Sequence, residues 1–131
     1  MIAIRGGTVY TMAGPPIPNG TVLIAEGKIV SVGGAELPVP SGTEIIDAAG
    51  CWVTPGFIDA HTHFDLDVCN TTTANNFASG SRAALHGGTT NIIDFACPNK
   101  GEKLHDGLRL WHEKADGKCA CDYGFHMTID D

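Results

Sequence analysis

From Cys51 onward, short apolar segments with strand character alternate with longer segments of helical period. That alternation leaves few folds open. WVTPGFIDAHTH, residues 52–63, predicts a first strand. Thr73 is the predicted N-cap of a helix over roughly 74–86, with Phe77, Ser81, Ala84 and Leu85 on its inner face and Gly87-Gly88 as its stop. TTNIIDFA, residues 89–96, predicts a second strand. Leu104, Leu108, Trp111 and Ala115 then recur at i, i+4, i+7 and i+11, one stripe of a helix ending near Gly117. ACDYGFHMTI, residues 120–129, predicts a third strand. Each crossover is long enough to hold a helix, so the three strands should be parallel.

Alternation within the strands carries more. In the third, Cys121, Tyr123, Phe125, Met127 and Ile129 share one face, and Asp122, Gly124, His126 and Thr128 the other. In the first, Phe57, Asp59, His61 and His63 share a parity opposite Ile58, Ala60 and Thr62. In a (β/α)8 barrel one strand face packs on helices while the other fills the lumen, and the chemistry sits at the C-terminal strand ends. His61 and His63 fall at such an end. A barrel takes about 250 residues, whereas this chain has 131. Either the sheet is open or the sequence is the front part of something larger; the second is the expectation, with residues 54–131 as the first three strands and two helices of a barrel.

Residues 1–53 read differently. IAI, GTVYTM, TVLIAEGKIVSVG and TEIIDAAG are β-branched runs bounded by Gly, Pro and Asn, with a hairpin turn near Glu26-Gly27 and a loop over 33–41. They predict a small antiparallel β unit.

Charge and composition exclude several function classes. A net charge of −7, with eight scattered Lys and Arg, offers no surface for nucleic acid or an anionic membrane. No apolar run approaches the ~18 residues of a membrane span, and no secretory leader is visible. The five cysteines contain no C-x-x-C pair and are read as reduced, mostly buried thiols of a cytoplasmic protein. Cys119 and Cys121 sit at strand spacing but lack the second pair a zinc ribbon needs.

Two histidines at i and i+2 project from one strand face, roughly 6–7 Å apart along it, within reach of one metal ion. A bare H-x-H is weak evidence by itself. A catalytic zinc usually takes three protein ligands, and no third is evident among these residues. Cupins follow H-x-H with a glutamate within a few residues, whereas the first glutamate after His63 is Glu102.

PGFIDAHTHFD, residues 55–65, resembles the metal-binding signature of the amidohydrolase superfamily. SGSRAALHGGTTNIIDF and LRLWHEKADGKCACDYGFHM are similar to the hydantoinase and dihydropyrimidinase family in particular, in matching order from about residue 45 onward. The resemblance implies a cyclic-amide hydrolase acting on small ureides or imides, a homo-oligomer (tetramer or dimer), with a binuclear zinc centre in a TIM barrel. It assigns His61 and His63 as ligands of one metal. It puts the bridging carboxylated lysine, the later histidines and the acid–base aspartate outside these 131 residues. A non-catalytic assembly subunit of the same fold is the alternative; retention of both histidines favours the enzyme. Where a dihydroorotase-like site would carry arginine two residues past the second histidine, this chain has Asp65. TatD-like nucleases share HTHFD but lack the preceding β unit.

The resemblance also implies a substrate gate in FDLDVCNTTTA, formed by Leu66 and Val68 with Phe64 beneath them. Leu-Asp-Val-Cys replaces the Pro- or Gly-containing stretch of common hydantoinases. Asp59 has the parity to orient a ligand imidazole, or else serves packing or a strand-end hydrogen bond. His126 shares the lumen parity and is a candidate support for the ligands. Asp94 either caps the barrel top or satisfies a buried hydrogen bond. His86 suits a helix C-terminus, and His105 and His112 belong to an exposed helix face.

Overall fold

The computed structural model describes residues 1–129, which form two compact units divided between Pro55 and Gly56. The first unit is one five-stranded sheet. Its strands are β1 (Ile2–Val9), β2 (Ile17–Ala25), β3 (Lys28–Gly33), β4 (Glu44–Asp47) and β5 (Trp52–Val53). The hairpin falls where the sequence predicts it: Ala25 faces Lys28, and Glu26 and Gly27 adopt φ of 51° and 72°. Two consecutive left-handed residues define the type I′ turn that matches strand twist.

The purely antiparallel expectation does not hold. β1 pairs antiparallel with β2 but parallel with β4 and β5. The loop over 33–41 lets the chain return in the direction of β1, so β4 joins as a parallel neighbour. Ala3, Val9, Val22 and Leu23 are buried in this unit, whereas Ile29, Val30, Ile45 and Ile46 are more than 40% exposed.

The second unit carries the predicted rhythm. β6 (Phe57–Thr62), α1 (Phe77–His86), β9 (Thr89–Ala96), α2 (Leu104–Ala115) and β10 (Asp122–Met127) follow in order, with the two-residue strands β7 (Asp67–Val68) and β8 (Thr71–Thr72) between β6 and α1. The sheet order is β10-β9-β6, all parallel. On its helix-covered face, Phe77, Ile92, Ala96, Trp111 and Ala115 form the core, with Tyr123, Phe125 and Met127 packed against it. Complete burial of a side chain such as Phe77 or Ile92 contributes about 1.5–3 kcal/mol.

Several boundaries move for identifiable reasons. The predicted first strand is two strands: Trp52–Val53 pairs with β1, and pairing resumes only at Phe57. Pro55 has no N–H for a ladder, and Gly56 lies so close to Thr90 that an added Cβ would sit 2.0 Å from its Oγ1. The cap of α1 is Asn76, whose side chain accepts from Ser79 N at 2.8 Å while Ser79 Oγ accepts from Asn76 N at 3.2 Å. This reciprocal pair outcompetes Thr73, whose hydroxyl instead accepts from Leu66 N.

The helix stripes shift as well. α1 buries Phe77, Gly80 and Ser81, and leaves Leu85 39% exposed. α2 buries Gly107, Trp111 and Ala115, and leaves Leu104 45% exposed. In both helices a glycine makes the close approach: a Cβ at Gly107 would lie 2.8 Å from Pro98 Cβ. The segment read as a polar loop after His63 contains a hairpin, β7–β8, turning at Cys69 and Asn70 with φ of 51° and 59°. The cysteines are not mostly buried as expected: Cys69 at this turn and Cys51 are exposed, and Cys97, Cys119 and Cys121 are half-buried.

Candidate metal-ligand pair at the end of β6

Strand β6 ends at the histidines, and its ladder with β9 is irregular. Asp59 faces Ile92 and Thr62 faces Asp94, so three steps on β6 match two on β9. That bulge breaks strict alternation and re-aims the side chains around it. His61 and His63 nevertheless converge. Their Nε2 atoms are 3.1 Å apart, and their ring centroids 5.0 Å.

Both rings lie against Phe95, with centroid distances of 4.5 and 5.3 Å. His126 packs on the same ring at 4.8 Å. Phe95 and His126 are register partners in β9 and β10, so all four side chains occupy the sheet face opposite the helices. His126 thus lies on the same sheet face as His61 and His63, as its parity predicts. Its Nε2 is 3.2 Å from the carbonyl oxygen of Ala60. A carbonyl only accepts, so that nitrogen carries the proton and supports the bulge just before His61. Asp59 takes the strand-end role: its Oδ1 accepts from His61 N at 3.1 Å.

Two imidazole nitrogens bound at ~2.0–2.1 Å to one tetrahedral zinc lie about 3.3 Å apart. The observed 3.1 Å fits that demand without repacking, and equally fits an N–H···N bond between neutral rings. Neutral imidazole is also the right donor for zinc. Among the described residues no group of three or more His, Cys, Asp and Glu is placed to hold a metal. This segment therefore brings together two candidate ligands, His61 and His63.

The gate residues separate. Phe64 turns to the helix side, where its ring meets Phe77 edge-on at 5.7 Å, and Leu66 packs against the same core. Val68, in β7, is 48% exposed, whereas Phe64 and Leu66 are partly buried. Asp65, at φ 50°, aims its carboxylate at the start of α1, 3.4 Å from Phe77 N. There it complements the positive end of the helix dipole.

The residue the sequence left ambiguous is the most connected. Asp94 is fully buried, and its carboxylate accepts from Thr62 Oγ1 at 2.8 Å, Phe64 N at 2.9 Å and Trp111 Nε1 at 2.9 Å. Its signal was an Asp in a β-branched strand, on the apolar parity of Ile92 and Ala96. Of the bland readings, His112 lies on its predicted exposed face and bonds Asp116 at 3.0 Å. Asp116 also accepts from the Tyr123 hydroxyl, and these two bonds hold its carboxyl below the usual range.

The amidohydrolase family profile matches residues 52–126. The D-hydantoinase of Geobacillus stearothermophilus is 48% identical over 128 residues, covering 98% of this chain and 26% of that protein. Rat dihydropyrimidinase is 39% identical over 131 residues, covering 98% and 25% respectively. Among solved structures, a D-hydantoinase superposes with a TM-score of 0.90 at 45% identity, covering 99% of this chain and 27% of that one. The dihydropyrimidinase of Brevibacillus agri gives the same values. The chain spans about a quarter of the length of the curated relatives it matches. It belongs to the amidohydrolase family, on the branch that contains the hydantoinases and dihydropyrimidinases.

Proposed function

We propose that this chain forms the first part of a metal-dependent hydrolase that opens dihydropyrimidine or hydantoin rings to N-carbamoyl amino acids. The observation that carries the reading is the convergence of His61 and His63 at the C-terminal end of a parallel strand. Helices cover one face of that sheet and leave the histidine face for a barrel lumen. We extend the proposal to a (β/α)8 barrel, preceded by a sandwich to which residues 1–53 contribute, and to a cytoplasmic homo-oligomer.

His61 and His63 would hold one metal of a binuclear zinc centre, whose remaining ligands, including a carboxylated lysine, lie outside this chain. A metal held there would supply Lewis acidity toward the ring carbonyl and would lower the pKa of water toward neutrality. The chain's own residues do the positioning. Phe95 backs both imidazoles with apolar surface. His126 and Asp59 fix the backbone on either side of the bulge, at Ala60 O and His61 N. Val68 borders the entry for the ring substituent, with Leu66 and Phe64 anchoring its hairpin to the core.

The test is His61→Ala and His63→Ala in the complete protein. Each variant is expected to lose metal from one site by elemental analysis and to abolish ring opening, while circular dichroism stays native. Wild-type metal content and rates in either variant refute the assignment.

A further inference from the structure

Asp94 is buried among apolar side chains, and three donors face its carboxylate. A carboxylate, which only accepts, satisfies all three; an amide in its place would turn an N–H toward one of them. A buried group of this kind is tolerable only when its partners are in place. Two of those partners bracket a histidine. Thr62 and Phe64 are the residues before and after His63, and both bond the same oxygen, Oδ2. The other oxygen is anchored by Trp111, which is 2% exposed in the α2 core.

The ladder cannot do this work alone. The register of β6 on β9 slips between Asp59 and Thr62, just before the histidine pair is complete. Thr62 faces Asp94 where pairing recovers. We infer that Asp94 is a positioning residue for the metal-ligand pair: it ties the end of β6 to the α2 core through Thr62 and Phe64, and so fixes where His61 and His63 present their Nε2 atoms. It touches neither imidazole and acts through the backbone on both sides of His63. The inference rests on the reading that His61 and His63 hold metal.

The experiment measures zinc affinity of the complete protein by competition with a chromophoric chelator, beside thermal unfolding, for six variants. Asp94→Asn and Thr62→Val are expected to weaken zinc binding roughly tenfold, the low end for loss of a group that orients a ligand. Thr62→Ser restores the hydroxyl and is expected to bind zinc within about twofold of wild type. Ser81→Ala is the control. Its buried hydroxyl bridges Phe77 O and Ala120 N elsewhere in the same core, so it should lower stability without moving zinc affinity. Should Asp94→Asn fail to fold, Thr62→Val against Thr62→Ser decides. Unchanged zinc affinity in Thr62→Val, or an equal loss in Ser81→Ala, overturns the inference while the metal site stands. Undiminished zinc in His61→Ala and His63→Ala overturns both.

Discussion

Gly80→Ala in the middle of α1 sets two well-measured effects against each other. In an open helix the substitution stabilises by about 0.8–1 kcal/mol, because alanine loses less backbone freedom on folding. Here the new methyl would sit 2.4, 2.5 and 2.8 Å from Phe64 Cε1, Cζ and Cδ1. Ordinary carbon contacts lie at about 3.5–4.0 Å, so the ring must retreat by roughly an ångström. Two things resist. Phe77 stands edge-on to Phe64 at 5.7 Å, and Phe64 N is bonded to Asp94 at 2.9 Å. Overpacking of this kind costs about 1–3 kcal/mol. The clash therefore wins, with a net destabilisation of about 1 kcal/mol. Hydrogen exchange of α1 amides in the complete protein should accelerate about fivefold. In the Phe64→Ala background the ring is gone, so the same substitution should slow exchange instead. This reversal of sign is the signature of direct coupling. Slower exchange from Gly80→Ala in the wild-type background would refute the packing described for Phe64.

Two further outcomes follow from the same unit. The Tyr123 phenol is pushed up to about 12 by its bond to Asp116, because ionisation would set two anions face to face. Spectrophotometric titration should show a late-ionising tyrosine that disappears in Tyr123→Phe and moves toward pH 10 in Asp116→Asn. Since the folded value is raised, the bond's contribution is complete below about pH 10 and is lost as pH rises through about 12. Since Asp116 is depressed, its contribution is present above the ordinary carboxylate range and fades as pH falls through the lowered value. For specificity, Val68→Ala should change the kcat/KM ratio between phenyl- and methyl-substituted hydantoin by about tenfold, with metal content unchanged. Leu110→Ala on the outer face of α2 should leave the ratio alone, and an unaltered ratio in Val68→Ala would remove Val68 from the pocket.

The β/α rhythm after Cys51, the parallel pairing, the Glu26-Gly27 turn and the face shared by His63 and His126 were all legible in the residues. These properties are local: periodicity and turn chemistry act over a few residues, so the sequence carries them in full. The convergence of His61 and His63 was legible too, because i and i+2 on a strand share a face whatever the strand packs against. Other features were decided between elements far apart in the chain. Gly80 and Gly107 took burial from Leu85 and Leu104 because helix approach depends on which neighbour, Phe64 or Pro98, lies beneath. Phe64 and Leu66 turned to the core and left Val68 exposed because the hairpin at Cys69-Asn70 reverses the chain there. For Asp94 the sequence offered a buried hydrogen bond as one of two readings, but its donors were invisible because they come from positions 62, 64 and 111. No pattern along one strand records a hydrogen-bond network that only folding assembles.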